Sequence, residues 1–262
     1  FLLNKKEEVM IQIDYREVNG IPYAEVVDAS LKDQVLPIVV FYHGWTGSKD
    51  RVVTIGVELA KRGMRAILPD QLLHGDRGVR LIGGEIWEIV ANNIKELPIL
   101  KEEFRSRGLL DETKFGVSGL SMGGISTYAL FNQYPDITAA ASLMGNADPA
   151  RFAKWTISSI WMTGATQEQC DVLEADIEKN KAFLDAMALA KHPERINGRP
   201  LFLWHGTTDD KVPYELNKEF YETIKDEPYA KNVEWHETPG QGHIVPHQVF
   251  EDVADFFQRV FQ

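Results

Sequence analysis

The sequence predicts an α/β protein, a mostly parallel eight-stranded sheet flanked by helices with one helical insert. Three observations predict it. Eight short strand-like segments alternate with helical ones. Several of those segments are nearly continuous apolar runs, as in strands covered by helices on both faces. The alternation breaks once, over about residues 146–197, where helical periodicity persists without a convincing strand. The 262 residues suit one domain, 1–262, with that stretch as a small lid inside it, because no linker rich in Pro, Gly or Ser divides the chain.

Each element has its own signal. Residues 9–15 partly alternate apolar and polar, and Asn19-Gly20 is a hairpin turn before residues 21–27. These read as two antiparallel strands. Residues 36–42 form an apolar run that ends in His43-Gly44-Trp45-Thr46-Gly47-Ser48. A helix over about 50–62 stops at Gly63, and 64–70 is the next strand. A long polar helix, about 82–107, leads to the strand 114–120. Ser121 follows, then a helix to about Tyr134 and the strand 137–144. In the insert, 168–192 is the clearest helical stretch. The strand 199–204, a helix over about 214–225, the strand 233–237 and a helix over 245–261 complete the chain.

Composition narrows the function. The formal net charge is −11, and Lys5-Lys6 and Lys61-Arg62 are too short to make a basic footprint, so no nucleic-acid partner is expected. The acidic charge confers solubility and repels anionic membranes and strongly anionic substrates. No apolar run approaches the roughly 20 residues that span a bilayer, so no membrane association is expected. The one cysteine, Cys170, forms no internal disulfide and no zinc motif, which suits the cytoplasm. It reads as a partly buried bystander. The chain begins at Phe1, so a preceding segment, including a cleaved signal peptide, stays open. No dinucleotide fingerprint, P-loop or metal triad occurs; no cofactor and no metal are expected.

The motif that carries chemistry is Gly119-Leu120-Ser121-Met122-Gly123. It lies between an apolar strand and a helix, the setting of a nucleophile elbow. A sharp strand-to-helix turn strains the central Ser and exposes its Oγ, while the chain on either side approaches closely. Gly119 and Gly123 supply the room, and the new helix points its N–H groups at the site. Ser121 is thus the predicted nucleophile.

A serine hydroxyl needs a base, and the base an orienting carboxylate. In α/β-hydrolases the chain order is Ser, Asp or Glu, His. Asp209 and Asp210 compete for the acid in the loop after Trp204. His243, in Gly240-Gln241-Gly242-His243 between a strand and an amphipathic helix, is the predicted base. His43 and His205 precede glycines at strand ends and read as structural; His192, His236 and His247 sit in the insert, a strand and the last helix. The oxyanion needs two backbone donors. Met122 N–H, next to the nucleophile, is one, and Trp45 N–H, in the loop after the third strand, the other. Trp45 either walls the pocket or simply packs.

Together, His43 to Ser48, Gly119 to Gly123, Asp209 with Val212-Pro213, and Gly242-His243 resemble the α/β-hydrolase superfamily. They look most like its prolyl oligopeptidase and dienelactone-hydrolase-like branch, in small bacterial carboxylesterases. The resemblance implies the α/β-hydrolase fold, with the second strand antiparallel. Its pattern His-Gly-x-x-Asp-x-x-Val-Pro selects Asp209 as the acid. Two departures matter: Ser121 stands where dienelactone hydrolases carry Cys, and the propeller of prolyl oligopeptidases is absent. Asp70 and Arg77 fall in a loop that in such folds lies near the active-site mouth, with either a structural or a substrate role.

The expected activity is that of a serine carboxylesterase hydrolysing short- to medium-chain acyl esters of small molecules through an acyl-enzyme. A thioesterase, peptidase or amidase on the same triad, and a non-catalytic ligand-binding module, are the rival readings. Trp155 and Trp161, in an insert rich in apolar residues, are candidate substrate-binding residues, against the reading that they pack the lid onto the body. The sequence leaves the oligomeric state open.

Overall fold

The computed structural model describes residues 9–78 and 84–262. Lys5-Lys6 and the predicted helix start at Ile82 lie outside those residues. Strand β1 (Ile11–Val18) pairs antiparallel with β2 (Ile21–Asp28). Asn19 (φ 49°) and Gly20 (φ 76°) close the hairpin with the two left-handed residues such a turn demands. Strand β3 (Leu36–Tyr42) keeps its predicted bounds.

The helix predicted from residue 50 opens instead as a 3-10 turn over Lys49–Val52, and α1 covers only Val53–Ala60. The backbone N–H of Lys49 donates to Asp70 Oδ1 at 2.8 Å, which draws the chain inward before the α-helix starts. Then follow β4 (Arg65–Pro69), α2 (Ile86–Ser106), β5 (Leu110–Leu120) and α3 (Met122–Gln133). Strand β6 (Ala139–Leu143) stops one residue short of the expected end, because Met144 takes φ 50°.

The stretch between β6 and β7 carries α4 (Pro149–Thr156), α5 (Gln167–Lys179) and α6 (Lys181–Met187). The helical stretch predicted over 168–192 is thus broken at Asn180, whose ψ of 7° departs from the helix, and ends early in 3-10 turns. Strand β7 (Leu201–Gly206), α7 (Tyr214–Ile224), β8 (Val233–Thr238) and α8 (His247–Val260) complete the order. Helix α8 starts after Pro246, whose φ of −63° suits the residue before a helix and whose missing N–H costs nothing there.

Among the described residues these eight strands form one sheet in the order β1-β2-β4-β3-β5-β6-β7-β8. Strand β2 runs antiparallel to both its neighbours and all other pairs from β4 to β8 are parallel, which is the α/β-hydrolase fold. Both sheet faces are covered. Ile38, Val40 and Tyr42 of β3 enter the core beneath α2 and α3, while Val39 and Phe41 enter the one beneath α1 and α8. That two-sided burial is why β3 reads as a continuous apolar run. A third cluster joins the insert to the body through Met122, Phe152, Leu184 and Val212. Among the described residues, no helix is long and apolar enough to cross a membrane.

Candidate active site

The parallel strands end on one edge, and Ser121, His243, Asp209, Trp45 and Met122 collect there. Ser121 joins β5 to α3 with φ 56° and ψ −120°, a conformation costly for a residue with a side chain. Its N–H donates to Leu143 O at 2.8 Å, which pins the turn to β6. The glycines are required by close approach. A Cβ on Gly123 would lie 2.0 Å from Tyr42 O, and one on Gly119 would lie 2.5 Å from the Gly123 backbone.

His243, in the loop between β8 and α8, places Nε2 at 2.8 Å from Ser121 Oγ and Nδ1 at 2.7 Å from Asp209 Oδ2. Asp209, not Asp210, makes this contact. An ionised carboxylate only accepts, so Nδ1 carries the proton and Nε2 is free to accept from the hydroxyl. Asp209 Oδ1 accepts from the N–H groups of Lys211 (2.9 Å) and Val212 (3.0 Å). Burial alone would raise the pKa of Asp209. Donation from His205, His243 and Val212 outweighs burial and holds the carboxyl well below the usual carboxylate range. The group is therefore a fixed anion behind the imidazole.

The loop after β3 meets the elbow directly. A Cβ on Gly44 would come 3.3 Å from Ser121 Cβ, so Trp45 follows a residue already in contact with the turn. Gly47 N–H closes a turn onto Gly44 O at 2.9 Å, and Thr46 is held at φ 60° by donating its N–H to His74 Nε2 at 3.1 Å. A β-branched residue in that region is strained. Met122 opens α3, so its N–H is one of those that face outward from the helix start.

A buried polar chain joins these two halves, and sequence reasoning missed it. His43 Nε2 accepts from Gln71 N–H at 3.2 Å, and the Gln71 amide donates to His43 O at 2.6 Å. Asn93 Nδ2 donates to Gln71 Oε1 (2.6 Å) and Ser126 Oγ (2.9 Å), and Ser126 donates to Met122 O (3.0 Å). Burial pushes the His43 imidazole down to about 4, so it is neutral at pH 7. Gln71 lies in the loop from Asp70 to Arg77 that the resemblance puts near the mouth, but Asn93 matches no motif, and nothing in the sequence pairs the two.

A cleft of about 520 Å³ opens at Ser121 and His243, lined among others by Trp45, Leu120, Met144, Trp161 and Phe250. Trp161 reaches it from the insert. Trp155 does not: it stacks on Phe152, ring centres 6.0 Å apart, and Phe152 meets Trp87 edge-on. Asp70 and Arg77 also sit in structural roles. Asp70 is wholly buried and accepts from Lys49 Nζ at 2.7 Å, while Arg77 grips Glu96 with two bonds of 2.8 Å. Cys170 is half-buried on α5.

Away from the cleft, Glu58, His247 and Glu251 are close enough to share a cation, but Glu58 is already held by Lys61 at 2.8 Å and Arg62 at 2.9 Å. A second cavity, about 450 Å³, lies by Arg195 and Arg199. There Arg199 donates to the carbonyls of Phe131, Tyr134 and Ile137, which leaves it a structural clamp.

Known proteins share this plan. The model of the prolyl oligopeptidase family matches residues 92–262. YitV of Bacillus subtilis (strain 168) is 38% identical over 220 residues, 82% of this chain and 85% of that protein. The esterase YjfP of Escherichia coli (strain K12) is 28% identical over 255 residues, 95% of this chain and 99% of that protein. Among solved structures, TT1662 from Thermus thermophilus superposes with a TM-score of 0.72 at 16% identity, covering 97% of this chain and 99% of that one.

Proposed function

Because the chain belongs to the prolyl oligopeptidase family and is an ester-cleaving serine hydrolase, we propose that it is a carboxylesterase with Ser121 as nucleophile, His243 as general base and Asp209 as the acid. The observation that carries this reading is the unbroken chain from Ser121 Oγ through His243 to Asp209, at 2.8 and 2.7 Å.

In the first half-reaction Ser121 Oγ attacks the ester carbonyl carbon while its proton passes to His243 Nε2. Asp209, already ionised, stabilises the resulting imidazolium. The N–H groups of Trp45 and Met122 receive the oxyanion. The C–O bond to the alcohol breaks, and His243 returns its proton to the leaving oxygen. Water, deprotonated by His243, then attacks the acyl-enzyme, releases the carboxylic acid and restores Ser121.

The cleft is mostly apolar and of a size that suits a small ligand. It supports short- to medium-chain acyl esters of small molecules as substrates, with the insert over residues 146–197 as a lid within a single domain. The single cysteine supports a cytoplasmic setting, and the acidic charge argues against nucleic acid as a partner.

The test is a panel of p-nitrophenyl esters of rising chain length, run beside thioester and aminoacyl substrates, on wild type and Ser121→Ala. The wild type should prefer the esters, and Ser121→Ala should lose both turnover and labelling by a fluorophosphonate. Full turnover by Ser121→Ala would overturn the assignment. A preference for the aminoacyl substrates would move the substrate class to peptides or amides.

A further inference from the structure

Asp209 is shared by two histidines. His243 Nδ1 lies 2.7 Å from Oδ2, and His205 Nε2 lies 3.3 Å from the same oxygen. His205, on β7, is wholly buried, and its Nε2 also lies 3.0 Å from Val212 O. Both neighbours of Nε2 are acceptors, so that nitrogen carries the proton. The other ring nitrogen, Nδ1, faces Asn217 Nδ2 at 3.1 Å. The orientation of that amide is set in turn, because Asn217 Oδ1 accepts from the Tyr128 hydroxyl at 2.7 Å. Tyr128 and Asn217 are buried as well. The relay Tyr128–Asn217–His205 therefore selects one tautomer, whose N–H meets Val212 O at 3.0 Å with Asp209 Oδ2 beside it at 3.3 Å.

We propose that His205 is a positioning residue for the reaction, a second imidazole that donates to Asp209, holds the acid loop through Val212 and limits how strongly Asp209 draws a proton onto His243. The inference rests on the triad proposed above. Its physical basis is competition: two N–H donors on one carboxylate oxygen divide its charge, so each receives less. Without His205 the whole acceptor capacity of that oxygen faces His243, and its hold on the protonated ring is stronger. The titratable groups around the pair are Tyr128 from α3, Tyr214 from α7, whose ring meets His205 edge-on, and Glu237 from β8, which accepts from the Tyr214 hydroxyl. Asp210 and Lys211 flank Asp209 in the acid loop itself, and Lys218 of α7 meets Glu237 at 3.3 Å.

Two substitutions of similar size separate positioning from packing. In His205→Gln the amide nitrogen reaches the place of Nε2 and still donates to Asp209. In His205→Asn it reaches only the place of Nδ1. The readout is the pH profile of kcat/KM on p-nitrophenyl acetate, with folding followed by circular dichroism. His205→Asn should move the acid limb upward by about half a pH unit or more and lower kcat about tenfold with KM little changed. His205→Gln should keep the wild-type limb. Asn217→Ala, which removes the tautomer-setting contact but keeps the His205 side chain, should shift the limb in the same direction by less, and it carries the test if His205→Asn does not fold. Equal shifts in the Asn and Gln variants, or no shift in the variants that lose the donor, would overturn the inference. Ser121→Ala is assayed alongside: its loss of turnover secures the triad, so a failure in the His205 series then counts against this inference alone.

Discussion

The indole N–H of Trp161 donates to the backbone carbonyl of Lys211 at 2.8 Å. Lys211 in turn donates its own N–H to Asp209 Oδ1 at 2.9 Å. One residue thus connects the insert to the acid loop, and the Trp161 ring forms part of the cleft wall.

Replacing that ring should change which ester is accepted. Trp161→Ala is expected to raise kcat/KM for long-chain relative to short-chain p-nitrophenyl esters about tenfold, because an aromatic wall is removed. Trp155→Ala should leave this ratio unchanged and lower stability by about 2 kcal/mol through lost packing on Phe152. An unchanged chain-length profile in Trp161→Ala would rule out its role as a cleft wall.

The two neighbouring aspartates should behave very differently. Asp209→Asn is expected to lower kcat on p-nitrophenyl acetate by about four orders of magnitude, following the triad template. Asp210 is exposed and does not contact His243, so Asp210→Asn should stay within about threefold of wild type, the scale of a surface substitution. Steady-state kinetics on both variants checks the choice of acid.

Gly123→Ala would drive a methyl carbon to 2.0 Å from Tyr42 O. The backbone of β3 and the start of α3 cannot both stay in place. A loss of about 3 kcal/mol or more is expected, with loss of turnover. Urea unfolding of the variant measures it, and a wild-type midpoint would contradict the close approach.

His43 titrates lower in the fold than in the unfolded chain, near 4 against an ordinary 6.5. Between those values the unfolded chain binds the extra proton, so stability should fall as pH drops from 6.5 toward 4, by about 3 kcal/mol over the window. His43→Gln should unfold with a flatter pH dependence there. Chemical unfolding at pH 7 and pH 4.5 on both proteins compares the slopes.

The legible parts of this protein were those with a local cause. The Ser121 turn could be read because its glycines are a requirement of close packing that leaves a mark within five residues. Asp209 was separable from Asp210 only through a familiar pattern; the physical distinction is that Asp209 turns inward onto His243 and the N–H groups of Lys211 and Val212. The face of an insert helix was not legible, so Trp155 and Trp161 looked alike although they point into different surroundings. Asn217, Gln71 and Asn93 pair with residues far away in sequence, Tyr128, His43 and Ser126, and such pairings arise only when the sheet assembles. Helix ends shifted where a tertiary bond, as at Lys49, or a single backbone angle, as at Asn180, overrode periodicity.

The order of the strands has a further consequence. Trp45 follows β3, Ser121 follows β5, Asp209 follows β7 and His243 follows β8. The connection from β6 to β7 supplies none of these four, yet it builds part of the cleft wall through Trp161. Selection can therefore rewrite the exposed part of that connection, such as α5, which buries no residue, while the groups assigned to bond breaking keep their places, so a lineage sharing this scaffold is free to diverge in diet while conserving its chemistry.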